Sequence, residues 1–274
     1  MYRIVASDLD GTLLNHEHRL SAFTKQVLQA LRKRHIHFIF ATGRHHIDVA
    51  QMRENMEIDA YTITSNGARV HNSQGELILS RSIDASLAPA IAQMAVDDPL
   101  IYTHIYRGDE WLINREDSFS LSYFEESDFC YQIFNPYDFP TSDIAKIYFT
   151  TAGEQDQYAH LVKLKDKLQQ RFGNNISVAF STLNCLEVMG KGVSKGTALE
   201  FVAKQLGCDL SETIAFGDGM NDYEMLSMAG KGCIMQNAPQ MLKAVLPDLE
   251  VIGLNSEDAV PHYLQKLFLN ESDE

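Results

Sequence analysis

Two carboxylates, one residue apart, close the first apolar run of the chain. Ile4-Val5-Ala6-Ser7 leads into Asp8-Leu9-Asp10-Gly11-Thr12. Read as a buried strand entering a turn, it delivers Asp8 and Asp10 at the carboxyl end of a sheet, the edge where open α/β sheets hold ligands. Acids so close repel each other unless a cation or a division of labour separates them. Thr42-Gly43 likewise follows the apolar run Ile36 to Ala41, and Gly217-Asp218-Gly219-Met220-Asn221-Asp222 follows Thr213 to Phe216. Parallel strands put such ends on one edge, and Lys195-Gly196 stands at a nearby helix start. One polar strand end is an ordinary turn former; several together point to a site.

The chemistry these residue types suit is phosphoryl transfer. A carboxylate can attack phosphorus and form an aspartyl-phosphate, splitting one slow hydrolysis into two easier steps. The substrate is anionic, so its charge must be neutralised. Asp8 with Asp218 offers hard oxygen ligands suited to Mg²⁺. Lys195 adds a point charge, while the Thr42 hydroxyl and the backbone N–H groups of Leu9 and Gly43 can donate hydrogen bonds. Asp10 is then free to pass protons to the leaving alkoxide and from the incoming water.

The elements that must position these groups can be read from periodicity. Ser21 caps a helix with Phe23, Val27, Ala30 and Leu31 at helical spacing. A second helix pattern runs from Ile47 to Met56, a strand covers Tyr61 to Thr64, Asn66-Gly67 makes a turn, and a hairpin turns at Asn72 to Gly75. Strand–helix alternation implies an α/β fold, a doubly wound and mostly parallel sheet. From Asp84 the texture changes: a helix over Leu87 to Val96, strands at Ile101–Tyr106 and Trp111–Ile113, a helical stretch around Phe119 to Phe124, a loop with Pro136 and Pro140, a strand at Ile144 to Thr150, a helix carrying Tyr158 to Phe172 and a strand at Ile176 to Phe180. Adjacent hairpin strands with interposed helices predict an inserted α+β domain at 84–184, between core parts 1–83 and 185–274. Residues Asn270 to Glu274 read as a disordered end.

Composition narrows the function classes. The 274 residues are 45% hydrophobic and 22% charged, ordinary for a globular protein, with a net charge of −14. Without a concentrated cationic face, nucleic acid is not expected as a partner. The four cysteines are scattered and expected to stay reduced. No apolar run reaches membrane-spanning length, so the expectation is a soluble, cytoplasmic protein acting on a small phosphorylated metabolite, as a monomer or weak homodimer.

The four motifs resemble those of the haloacid dehalogenase superfamily: Asp8-Leu9-Asp10-Gly11-Thr12 its first, Thr42-Gly43 its second, Lys195 its third and Gly217 to Asp222 its fourth. Their order, spacing and large middle insertion are similar to the Cof-type phosphatases, with a Rossmann-like core and an α+β cap. The resemblance implies Asp8 as nucleophile, Asp10 as general acid/base, and Mg²⁺ held by Asp8, the backbone carbonyl of Asp10 and Asp218. It implies phosphate contacts from Leu9, Thr42, Gly43, Lys195 and Asn221, with Thr12 and Asp222 in support. The stretches Ala41 to His46 and Ser181 to Met189 are similar to those of pyridoxal phosphate phosphatases within the group, whose relatives also accept sugar phosphates.

Other residues have competing readings. Arg44 can touch substrate or form a structural ion pair, and Asn66-Gly67 can be a plain turn or face substrate. His45-His46 lacks the spacing of a helical metal pair. Trp111 and its neighbouring tyrosines read as core of the inserted domain, and Glu187 as a surface strand residue or a cleft residue. Alternatives to a phosphatase are a phosphomutase-type phosphotransferase, a dehalogenase, a receiver-type phospho-acceptor and a non-catalytic phospho-ligand binding or regulatory protein. Asp10 argues against the dehalogenase and the hundred-residue insertion against the receiver; turnover separates an enzyme from a binder.

Overall fold

The structure is a computed structural model that describes residues 1–56, 58–117, 129–135, 138–151 and 158–269. Its first part holds β1 (Ile4–Ser7), α1 (Ala22–Lys33), β2 (His37–Ala41), α2 (His46–Met56), β3 (Tyr61–Thr64), β4 (Arg69–His71) and β5 (Leu77–Ser80). The middle holds α3 (Ala88–Ala92), β6 (Ile101–Arg107), β7 (Glu110–Ile113), β8 (Tyr131–Ile133), β9 (Ile144–Thr151), α4 (Tyr158–Phe172), β10 (Ile176–Thr182) and β11 (Cys185–Gly190). The last part holds α5 (Lys195–Gln205), β12 (Thr213–Gly217), α6 (Tyr223–Met228), β13 (Lys231–Ile234), α7 (Gln240–Val245), β14 (Glu250–Val251) and α8 (Ala259–Leu264).

Among the described residues the first and last parts build one eight-stranded sheet, in the order β14-β13-β12-β1-β2-β3-β4-β5. It is parallel from β14 to β3 and antiparallel at β4 and β5. Alternation along its strands feeds two apolar layers. Val5, Phe38, Phe40, Ile214 and Phe216 join Val27, Leu28 and Leu31 of α1 on one face. Ile4, Ala6, Ile39, Ala41 and Ala215 join Ala198, Leu199 and Val202 of α5 on the other. Burial on both faces is why these strands read as unbroken apolar runs. Ser21 accepts the Thr24 N–H at 3.0 Å and starts α1 as anticipated.

Among the described residues the middle part forms a six-stranded sheet, β10-β11-β9-β6-β7-β8, antiparallel except between β7 and β8. Helices α3 and α4 cover one face with Ile91, Leu161, Leu164 and Leu168. The other face turns toward the core sheet, where Tyr106, Trp111, Tyr148 and Met189 meet Ala68 and Val193. The expected boundary at residue 184 falls at the turn between β10 and β11, and the second sheet continues to Gly190. The two crossings between units touch: Gly190 lies against the Ser82 carbonyl. Arg69 braces them by donating to Arg81 O at 2.8 Å and to Asp143 Oδ1 at 2.6 Å.

Helix α3 is shorter than the span Leu87 to Val96 read from periodicity. It gives way to three-residue turns (Met94 N–H to Ile91 O, 3.1 Å; Asp98 N–H to Ala95 O, 3.0 Å) that lead into Pro99. Strand β8 has no counterpart in the sequence reading, and β11 only the strand reading of Glu187. The expected helical stretch at 119–124, Pro136 and the end at 270–274 lie outside the described residues. No helix among the described residues is long and apolar enough to cross a membrane.

Candidate active site

Strand order places β1 between β12 and β2, so their carboxyl ends meet on one edge. The Asp8 N–H donates to Phe216 O at 3.0 Å and carries the ladder to the last residue before the turn. That turn, Leu9–Leu13, closes with the Leu14 N–H on Leu9 O at 2.9 Å and passes through Gly11 at φ 76°. A Cβ at Gly11 would collide with the Asp218 carboxylate, so glycine lets the loops after β1 and β12 touch. Thr12 Oγ1 seals that contact by donating to Asp218 Oδ1 at 2.8 Å.

Ser194 caps α5 and sets Lys195 in its first turn, fully buried. Lys195 Nζ donates to Asp8 Oδ1 at 2.6 Å and to Asp222 Oδ1 at 2.7 Å. Asp222 Oδ2 accepts the N–H groups of Asp218 at 3.0 Å and Gly219 at 2.9 Å. Both Asp222 oxygens are thus engaged, and its place is in support of Lys195 and the fourth-motif loop. Burial raises the Asp8 carboxyl well above the usual range; Lys195 opposes this, and Asp222, Asp218 and Asp10 add to it. Burial, then the charge of Asp222, pushes Asp218 up to about 7. Asp8, Asp218 and Asp222 each offer an oxygen within 4.8 Å of the others. A hard-oxygen cluster this short of positive charge fits a divalent cation, with Asp8 and Asp218 as the side chains least committed elsewhere.

Arg44 forms ion pairs and also lines the cavity, so both of its readings stand. Its Nε and Nη2 grip Asp10 Oδ2 and Oδ1, both at 2.7 Å, and its Nη1 donates to Asp48 Oδ2 at 2.8 Å. His18 Nδ1 lies 3.0 Å from Asp10 Oδ1. Burial alone would raise Asp10, but the charge and hydrogen bonds of Arg44, with His18, outweigh it and hold the carboxyl well below the usual range.

A cavity of about 490 Å³ opens over these strand ends, between the two sheets. Asp8, Asp10, Thr42, Gly43, Arg44, Asp218 and Asn221 line its core side, and Tyr106, Trp111, Lys146, Tyr148 and Glu187 its opposite side. Leu9, Thr12, Lys195 and Asp222 are not part of the lining; Lys195 and Thr12 reach it through Asp8 and Asp218. Asn66 and Gly67, read as a plain turn or as facing substrate, are buried and outside the cavity lining, Asn66 bonded to Asn221 and Glu187, and Gly67 against the Ser194 carbonyl.

Lys146, His18 and Asp48 do not stand out in the sequence as site residues, and Glu187 has a cleft reading only as one of two. For Lys146 and Glu187 a signal existed. Lys146, Tyr148 and Thr150 alternate along β9, as Cys185 and Glu187 do along β11, and all five line the cavity. Polar and aromatic residues at period two in an otherwise apolar strand mark a face turned to a site. Trp111 is both core and cavity wall. His45 precedes α2 rather than lying in it, so its ring is 4.2 Å from that of His46 instead of pointing away. Both rings engage the β6–β7 turn: His45 Nε2 is 3.0 Å from Gly108 O, and His46 Nε2 is 2.9 Å from Asp109 Oδ1.

A doubly wound sheet with an inserted α+β cap, carrying strand-end aspartates on a buried lysine, defines a hydrolase of phosphoric monoesters. The haloacid dehalogenase-like hydrolase family matches over residues 5–264, and the chain belongs to that family. It is 38% identical over 281 residues to a Buchnera aphidicola protein provisionally named a phosphatase, covering 100% of this chain and 99% of that protein. It is 39% identical over 264 residues to the HMP-PP phosphatase of Cronobacter sakazakii, covering 96% and 95%. A haloacid dehalogenase-like hydrolase from B. subtilis superposes with a TM-score of 0.83 at 27% identity, covering 97% of this chain and 99% of that one.

Proposed function

We propose that the protein is a Mg²⁺-dependent phosphatase that hydrolyses small phosphate monoesters through an aspartyl-phosphate on Asp8. The observation that carries this reading is Asp8 itself, lining the cavity while Lys195 holds one of its oxygens at 2.6 Å. Lys195 favours the ionised carboxylate against burial, and ionised Asp8 is the nucleophile. Thr42, Gly43 and Asn221 line the same wall, where N–H and hydroxyl donors can bind the phosphoryl oxygens. Asp10 takes a proton from the water that cleaves the acyl phosphate and, protonated by that transfer, gives it to the leaving alkoxide of the next turnover. The ionised Asp10 that Arg44 holds is the form ready for the first of these transfers. Mg²⁺ on Asp8, the Asp10 carbonyl and Asp218, when bound, supplies neutralisation of phosphoryl charge.

The leaving group faces Tyr106, Trp111 and Tyr148. Flat rings of this kind favour an aromatic alcohol ester such as pyridoxal phosphate. Sugar phosphates are the second reading, favoured by the hydroxyls of Thr150, Thr151, Ser181 and Thr182 on the same wall. The test is phosphate release from a panel holding pyridoxal 5′-phosphate and hexose phosphates, with Mg²⁺, with EDTA and with Asp8→Asn. Metal-dependent turnover lost in Asp8→Asn supports the mechanism, and the ranking names the substrate. Phosphate analogues that bind without any ester being turned over would leave a binding protein instead.

A further inference from the structure

We propose that Glu187 is a positioning residue, through which the cap sets the orientation of Asn221 and the conformation of Gly43 at the phosphate end of the site. The inference rests on the phosphatase reading for its catalytic consequence, but its structural content is independent. Glu187 sits on β11, across from Tyr148 on β9, and its side chain is 2% exposed. One oxygen accepts from Lys146 Nζ, and the other accepts from Asn66 Nδ2 at 2.7 Å. A carboxylate can only accept, so it fixes which end of the Asn66 amide faces the cap. With its amine committed to Glu187, Asn66 presents its oxygen to the core, where Asn221 Nδ2 donates to it at 3.1 Å. The orientation of one carboxylate in the cap therefore dictates the orientation of two amides in the core.

Gly43 is enclosed by the same network. A Cβ on it would lie 3.1 Å from Asn66 Oδ1 and 3.2 Å from Glu187 Oε1, and its carbonyl accepts from Lys146 Nζ at 2.6 Å. Lys146 is itself held 4.8 Å over the Tyr106 ring and 4.6 Å over the Tyr148 ring. The buried lysine and carboxylate balance each other, so the network orients the phosphate-facing residues without adding net charge beside them. Asn66 takes part at φ 56°, a left-handed conformation that asparagine tolerates better than most residues and glycine adopts freely.

The experiment compares wild type, Glu187→Gln and Asn66→Gly by the side-chain amide NMR resonances of Asn221 and by Mg²⁺-supported hydrolysis of p-nitrophenyl phosphate. A glutamine at 187 must turn its N–H₂ toward one of the two donors, Lys146 or Asn66. Asn66→Gly keeps the backbone conformation, leaves the Lys146–Glu187 pair intact and cuts the link to Asn221. The expected result is a displaced Asn221 amide resonance in both variants, with kcat and kcat/KM falling together by about 10- to 100-fold and KM unchanged. The double variant should lose no more than the worse single one, because both cut one chain of contacts. An Asn221 amide that stays put in both variants overturns the proposal, as does a lower Tm with kcat per folded molecule unchanged. Wild-type protein inactive on every ester would sink the phosphatase reading, while the Asn221 resonance would still decide this inference.

Discussion

Lys195→Met keeps the length of the side chain and removes its charge, leaving Asp8 and Asp222 against each other without their shared cation. The three groups are almost completely buried, with side-chain exposures of 0%, 9% and 1% for Lys195, Asp8 and Asp222. Deleting one partner of a buried ion pair costs about 3–5 kcal/mol, because the other charge is left unpaired. For a chain of this size each kcal/mol lowers Tm by roughly 2–4 °C, so a fall of about 6–20 °C is expected near neutral pH. The deficit should depend on pH in a fixed direction. Without Lys195 the Asp8 carboxyl, already raised by burial, rises further above its unfolded value, and a carboxyl raised in the folded state costs stability at neutral pH. That cost fades as pH falls through the folded pKa toward the unfolded one, so the gap to wild type narrows on acidification toward about pH 5. Thermal unfolding of both proteins at matched pH values measures the gap, and phosphate release measures the chemistry, which should drop by about 10²- to 10³-fold. A Tm within about 2 °C of wild type, or a gap that widens on acidification, would refute the reasoning.

Other outcomes follow from the same geometry. His45 and His104 are buried, and burial first, then His46 and Lys146 respectively, depresses them to about 2 and about 3. Both are neutral when folded: His45 Nδ1 accepts the Ile47 N–H at 3.2 Å, and His104 Nδ1 accepts the Trp111 N–H at 3.2 Å. Their contribution is complete above the unfolded value near 6.5 and is lost as pH falls toward the folded values, at about 1.4 kcal/mol per pH unit each. Relative to a His45→Gln, His104→Gln double variant, which lacks these two titrations, the wild-type urea midpoint should therefore drop between about pH 6.5 and 5 by the equivalent of roughly 4 kcal/mol, and parallel midpoints would count against it. Gly11→Ala should lower both Tm and kcat, because the new methyl strains φ 76° and displaces Asp218; an unchanged kcat would show that the Asp218 position is not critical. Tyr148→Leu should raise KM for an aromatic phosphate ester by about 3- to 10-fold, the worth of one aromatic contact, and leave a hexose phosphate unaffected. Equal shifts for both substrates would remove Tyr148 from leaving-group recognition.

The sequence carried the parallel core well, because a strand buried on both faces announces itself as an apolar run and its last residue names the edge. Asp8, Thr42 and Asp218 could be brought together on that ground alone, since strand order was the only unknown and β12-β1-β2 resolves it. The cap half of the cavity was harder to read. Lys146 and Glu187 are separated by 41 positions, and nothing local tells a buried lysine with a partner from a solvated one. Their pairing depends on β9 lying beside β11, a register set by hydrogen bonds between distant strands. The two readings of Asn66 stayed level for the same reason: a turn residue next to a motif reads equally as a plain turn or as substrate-facing until the strand that covers it is known. The helical reading at Leu87 to Val96 overran because periodicity alone does not mark where three-residue turns take over before Pro99.

The chain leaves the core after β5 and returns before α5 at points that touch, Ser82 against Gly190. The described residues between them form a sheet with its own apolar layer under α3 and α4. Among the described residues no strand of the core sheet lies within that span, so the core ladder can close whatever is spliced there. On the proposed function, the core holds the phosphate end and the insert supplies the opposite wall of the cavity, so the two can be inherited under separate selection. Lengthening, trimming or replacing the insert would then reshape that wall while Asp8, Lys195 and Asp218 keep their places. The few residues that bridge the seam, Glu187 among them, are then where such a graft has to match.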